Sequence, residues 1–189
     1  MRLCKAVRAA RPGSVIALGA GVAVPFTAYV ARVAPPWPPG IMLLTALIEL
    51  VTLIVVFQLF RSSKRRVVNR VIIFATAALF LVSVVYLLLF AFFTYETKQT
   101  GEIWTKGFIC RTDIPKEYQD LCPFLGLEQL ADYEYSAERF WVGWSIHTMK
   151  VLIVTVWCIA FVLLSTVIAT FIVYQMGQPA RRRTRESAS

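Results

Sequence analysis

The chain has a single histidine, His147, in 189 residues, and that scarcity removes most familiar enzyme chemistries. A Ser-His or Cys-His nucleophile, or a histidine-bearing metal site, would have to be built around this one ring. Ser145 is too close along the same helix to be presented to it, and Cys158 lies three turns further on. The four cysteines contain no CxxC pair, and no HExxH, Gly-rich phosphate loop or paired-carboxylate motif occurs. These absences predict a protein without catalytic activity, cofactor or metal. Repeats of 20 to 50 residues are missing, as are inverted halves broken by Gly or Pro, which argues against an alternating-access transporter.

Acidic residues are also few, 11 against 20 Lys and Arg, for a net charge of +9. Hydrophobic residues make up 58% and aromatics 13%, with a mean hydropathy of +0.64. A water-facing surface cannot be built from that composition, so the chain belongs in lipid. A hydrocarbon layer about 30 Å thick takes about 20 apolar residues to cross as a helix. Four runs qualify, at roughly residues 14 to 34, 41 to 60, 70 to 93 and 148 to 174. The first presents Ala17, Gly21, Pro25 and Ala28 along one side, a small-residue face suited to close helix packing. The predicted fold is an all-α integral membrane protein of four transmembrane helices, with a small disulfide-stapled extracytoplasmic cap between helices 3 and 4. Its regions are 1–93 (three helices and a basic cytoplasmic loop), 94–139 (cap), 140–174 (helix 4) and 175–189 (tail).

Thirteen of the 20 bases fall in three clusters: Arg2, Lys5, Arg8 and Arg11; Arg61, Lys64, Arg65, Arg66 and Arg70; and Arg181, Arg182, Arg183 and Arg185. Four spans put all three on one side, and the positive-inside rule makes that side the cytoplasm, with both termini inside. A bacterial inner membrane is the expected location. The clusters lack interleaved aromatics, so they predict contact with anionic lipid or a cytoplasmic protein partner and no nucleic acid. Residues 94 to 139 carry nine acids and five bases and hold Cys110 and Cys122, which are expected to pair in an oxidising compartment. With about 45 residues this loop is too small for a sizeable core of its own and should pack on the bundle or on other copies of the chain. Leu127, Leu130, Tyr133 and Ala137 recur at helical spacing and predict a short helix entering the membrane, with Phe140, Trp141 and Trp144 as an aromatic belt.

The second run, "LLTALIELVTLIVVFQLF", carries Glu49 in its middle. Thr45, Glu49 and Thr52 share one helical face, and a carboxylate facing lipid costs about 3 kcal/mol or more, so this stripe should face protein or water. Glu49 is either helix-packing glue, hydrogen-bonded to threonines or paired with His147, Lys150 or Arg32, or an ion- or proton-handling group on a water-filled path. On the fourth run Thr148, Thr155 and Thr166 form a polar stripe that their own backbone carbonyls can satisfy. One four-helix bundle fills its own centre, so conduction would need several copies around an axis. The leading expectation is a homo-oligomeric gated pore or transmembrane sensor; the alternatives are an anchor that recruits a cytoplasmic effector and a small proton-coupled transporter.

Overall fold

The computed structural model describes residues 32–97, 101–119, 121–126, 130 and 136–176. Among these, the chain is mostly helical, and three helices are long and apolar enough to cross a membrane. They are α1 (Ile41–Phe60), α2 (Arg65–Phe93) and α5 (Gly143–Met176). Between the last two lie β1 (Thr94–Glu96), β2 (Ile103–Thr105), α3 (Lys116–Gln119) and α4 (Ala137–Phe140). The run at residues 14 to 34, the N-terminal basic cluster and the arginines from Arg181 onward lie outside the described residues.

Local chemistry sets the helix ends. Gly40 takes a left-handed φ of 82°, and the Ile41 N–H donates to the Pro38 carbonyl at 3.2 Å, so α1 starts at the first residue past the Pro-Gly turn. Its 20 residues rise about 30 Å, the thickness of a hydrocarbon layer. Helix α2 starts at Arg65, earlier than the predicted 70, because the Val67 and Val68 N–H groups both close onto the Lys64 carbonyl. Arginine is a good helix former, so the charges at Arg65, Arg66 and Arg70 end the apolar run without ending the helix. Helix α5 likewise begins at Gly143 and takes in His147 and Lys150, which the hydropathy-based start at 148 had placed at its edge.

Two compact units organise the described residues, one of residues 32, 42–81 and 159–176, the other within 33–41 and 82–158. In the first, Thr45, Glu49 and Val56 of α1, Val68 and Ala75 of α2, and Phe161, Ser165 and Ala169 of α5 are buried. Most of the remaining helix surface is apolar and open: Leu43 is 69% exposed, Phe74 70% and Phe80 73%. A continuous surface of this kind suits lipid and not water.

The second unit contains the cap, the segment from β1 to α4. Its sheet corrects the all-α expectation. Strands β1 and β2 pair antiparallel in the register Thr94 with Thr105, Tyr95 with Trp104 and Glu96 with Ile103. Apart from Glu96, both strands consist of β-branched and aromatic residues, the types that fit a pleated surface. Gly101 supplies the positive φ of 66° in the connection, and its N–H donates to the Thr97 carbonyl at 2.9 Å. Cys110 and Cys122 form the disulfide, with Cα atoms 6.4 Å apart.

Tyr95, Ile114, Leu125, Leu130, Ala137, Phe140, Trp141 and Ile146 make a buried apolar cluster, with Cys110, Tyr118 and Cys122 packed against it. The loop does build a core, and it borrows Ile146 from α5 to do so. The predicted helix entering the membrane is broken: α4 is a single turn, and at Trp141 the chain leaves helix to form an isolated antiparallel bridge with Cys110. The Arg111 N–H donates to the Phe140 carbonyl at 2.9 Å and the Val142 N–H to that of Ile109 at 3.0 Å. Phe140 and Trp141 are therefore cap core, 1% and 0% exposed, and not members of an aromatic belt; only Trp144, at 55%, is open. Leu127 and Tyr133 lie outside the described residues.

Candidate functional site

Of the 11 acids, nine lie in residues 94 to 139 and one is Glu186, which leaves Glu49 as the only acid within the predicted spans. Helix α1 splits cleanly around it. Leu43, Leu47, Leu50, Ile54 and Leu59 are exposed, whereas Ile41, Thr45, Glu49 and Val56, spaced by four, four and seven, are buried. Thr45 is fully buried, Glu49 is 8% exposed, and Thr52 is half-buried. The stripe thus turns into the protein. Glu49 Oε1 has no hydrogen-bond partner among the described residues. An orphaned buried acceptor costs about 1–3 kcal/mol, more when charged, so a group retained in that state marks a place where a cation, a proton or water completes the site.

The other intramembrane residues singled out by sequence are disposed differently. His147 is exposed and Lys150 half-buried. The α5 threonines are occupied by their own helix: Thr148, Thr155 and Thr166 donate to the carbonyls of Trp144, Val151 and Val162 at 2.9, 2.8 and 2.7 Å. Such back-bonds let hydroxyls sit on an apolar surface without a further partner. Cys158 is a free thiol. Arg61, Lys64, Arg65 and Arg66 are all exposed, as a surface for anionic partners requires. Arg181, Arg182 and Arg183 lie outside the described residues.

In the cap, sequence reasoning missed a node around Trp141. A Cβ added to Gly107 would collide with the Ser145 hydroxyl and lie 2.7 Å from Trp141 Cβ, so glycine is needed there for close approach. The Ser145 hydroxyl donates to the Val142 carbonyl at 2.8 Å and reaches that of Ile109 at 3.3 Å. Nearby in sequence, Lys106 Nζ donates to the Leu125 carbonyl at 2.8 Å, and burial pushes its amine below the ordinary lysine value. The Tyr95 phenol is driven up to about 12 by the same cause. The one signal available in sequence was the lone glycine between Lys106 and Phe108, which marks a close backbone approach.

An open groove of about 640 Å³ runs beside the cap core, with Arg111, Asp113, Glu138 and Arg139 on its walls. Arg111 donates to Asp113 twice, Nε to Oδ1 and Nη2 to Oδ2, both at 2.9 Å. These bonds hold the Asp113 carboxyl below its ordinary value and raise the guanidinium. The four side chains balance in charge, so the groove has no preference for ions of one sign. Among the described residues no group of three His, Cys, Asp or Glu could hold a metal. No family model, curated protein or solved structure matches the chain.

Proposed function

We propose that the protein is a non-enzymatic, homo-oligomeric membrane protein with both termini in the cytoplasm, which senses at an extracytoplasmic cap and transmits across a bacterial inner membrane. The observation that carries this reading is Glu49: a carboxyl buried on the inward stripe of an otherwise hydrocarbon helix, beside fully buried Thr45, with one oxygen unpartnered among the described residues. A group so placed has two states of different packing energy, with its site completed or empty, and that is what a switch requires. Burial within one chain favours the sensor over the pore. A residue that lines a channel between copies would be open in a single copy, and Thr45 and Glu49 are not. The exposed Arg61, Lys64, Arg65 and Arg66 would then hold the cytoplasmic rim to anionic lipid or to a soluble effector.

The test combines a protomer count in detergent with capture of a soluble partner by the wild type, by Glu49→Gln, and by a variant with Lys64, Arg65 and Arg66 replaced by Ser. A sensor gives several copies and a capture that both variants alter. Capture lost only in the rim variant and indifferent to Glu49→Gln identifies a passive anchor. Ion current in planar bilayers that Glu49→Gln abolishes restores the pore.

A further inference from the structure

We infer that the cap rests on the membrane itself, with Phe108 and Phe124 seated in the lipid headgroup and glycerol region on the cap's side of the bilayer. The inference depends on the spanning helices and not on the sensor reading, so either can fail alone. The uncharged stretch of α2 from Val71 to Phe93 is about 34 Å long, against about 30 Å of hydrocarbon. Its last residues, Phe92 and Phe93, thus reach the level where acyl chains give way to headgroups. The Phe124 ring from the cap lies 5.9 Å from Phe92 and 6.1 Å from Phe93, centroid to centroid. The interfacial layer on each side is about 5–8 Å deep, so a ring tied to the helix end at that distance lies within it.

A second pair repeats the arrangement on the other spanning helix. Phe108 of the cap meets Trp144, the second residue of α5, edge to face at 5.3 Å. None of these rings is spent on the cap core. Phe124 is 58% exposed and Phe108 36%, while Phe140 and Trp141 fill the interior. Exposed aromatics in water would be a liability, whereas at the headgroup level they are the favoured residue type. On α2 the exposed surface runs on from Phe92 to Leu88 and Leu87 about a turn away, and on α5 exposed Val151 and Leu152 follow Trp144 by two turns, past His147 and Thr148; this is the surface that acyl chains cover. That continuity points to lipid and not to a second copy as the occupant. Of the belt predicted at Phe140, Trp141 and Trp144, Trp144 keeps its place, and Phe108, Phe124 and Phe92 join it where the cap meets the two helix ends.

The test uses the full chain in phosphatidylcholine vesicles, with Trp37, Trp104 and Trp144 replaced by Phe and the buried Trp141 and Trp157 retained as a constant background. Phe124→Trp or Phe108→Trp then adds one reporter. The expected result is loss of most of the added emission when bromines are placed near the carbonyl end of the acyl chains, with little loss to bromines near the methyl end or to aqueous iodide. Quenching by iodide and not by brominated lipid means that the cap stands in water and overturns the inference. Protection from both means that protein covers the patch and overturns it equally. Restoring Trp144 in the same background repeats the reading with the cap unaltered.

Discussion

Phe140 and Phe80 are the same residue type in one chain, yet the first is 1% exposed and the second 73%. The cap and the spanning helices differ in this way throughout. In the cap, Leu125, Leu130 and Trp141 disappear into a shared interior, and a disulfide, a two-stranded sheet and the two backbone hydrogen bonds around the Cys110–Trp141 bridge hold the loops over them. Along α1 and α2 most large apolar side chains point outward, and the few buried positions mix apolar side chains (Ile41, Val56, Val68, Tyr86) with small or polar ones (Thr45, Glu49, Ala75). The difference teaches which solvent each region answers to. Water drives apolar groups together; acyl chains are as apolar as leucine and do not, so helices in lipid hide their polar and small residues instead.

The sharpest way to break this comparison is to truncate the same kind of residue in both regions. Trp141→Ala should cost the cap about 3–5 kcal/mol, seen as protease cleavage between β2 and α4 in folded, detergent-solubilised protein. A loss no greater than that at a lipid-facing phenylalanine would show that the cap core is not organised by water. Next in size, replacing Cys110 and Cys122 together by Ser should cost about 3 kcal/mol, confined to the cap. Near-ultraviolet circular dichroism should fall while the far-ultraviolet helix signal of α1, α2 and α5 holds.

Smaller again is an effect of pH acting through one hydroxyl. The unfolded chain releases the Tyr95 proton near 10.0, and the folded cap holds it up to about 12. The stabilisation is therefore complete below pH 10.0 and is lost as pH rises towards 12. Lys106 runs the other way, since its amine is lowered from 10.5 by burial and its cost is relieved as pH climbs to that value. Comparing Tyr95→Phe with the wild type isolates the contribution of this hydroxyl: the variant should lose less cap stability across the alkaline range, measured by unfolding against pH. Smallest of all, Phe80→Leu should change the melting of the protein in lipid nanodiscs by less than about 0.5 kcal/mol. A loss of core-truncation size there would mean that another protein chain, and not lipid, covers α2.

Much of the architecture was legible because lipid imposes a length rule on sequence. The bounds of α1 matched the apolar run from 41 to 60, where a Pro-Gly turn and Arg61 punctuate it. The starts of α2 and α5 lie about a turn before their apolar runs: at α2 the charges of Arg65, Arg66 and Arg70 end the run without ending the helix, and at α5 the opening residues include Gly143, Ser145 and His147, which lower hydropathy while backbone hydrogen bonding continues. The inward stripe of Thr45 and Glu49 followed from helical spacing alone. The cap was harder. The three-residue strands are too short for an alternating pattern to stand out, and Phe140 and Trp141 precede an apolar helix just as belt residues do. What distinguishes them is pairing with Cys110 some thirty residues earlier, which is a long-range fact.

Composition and periodicity by themselves determined the apolar character of the long runs, the cysteine pair and the face on which Glu49 lies, since each depends on residue type and on spacing within one element. Only the tertiary structure decided which aromatics became core and which stayed open. That choice depends on which distant backbone segments meet, and local sequence carries no record of it.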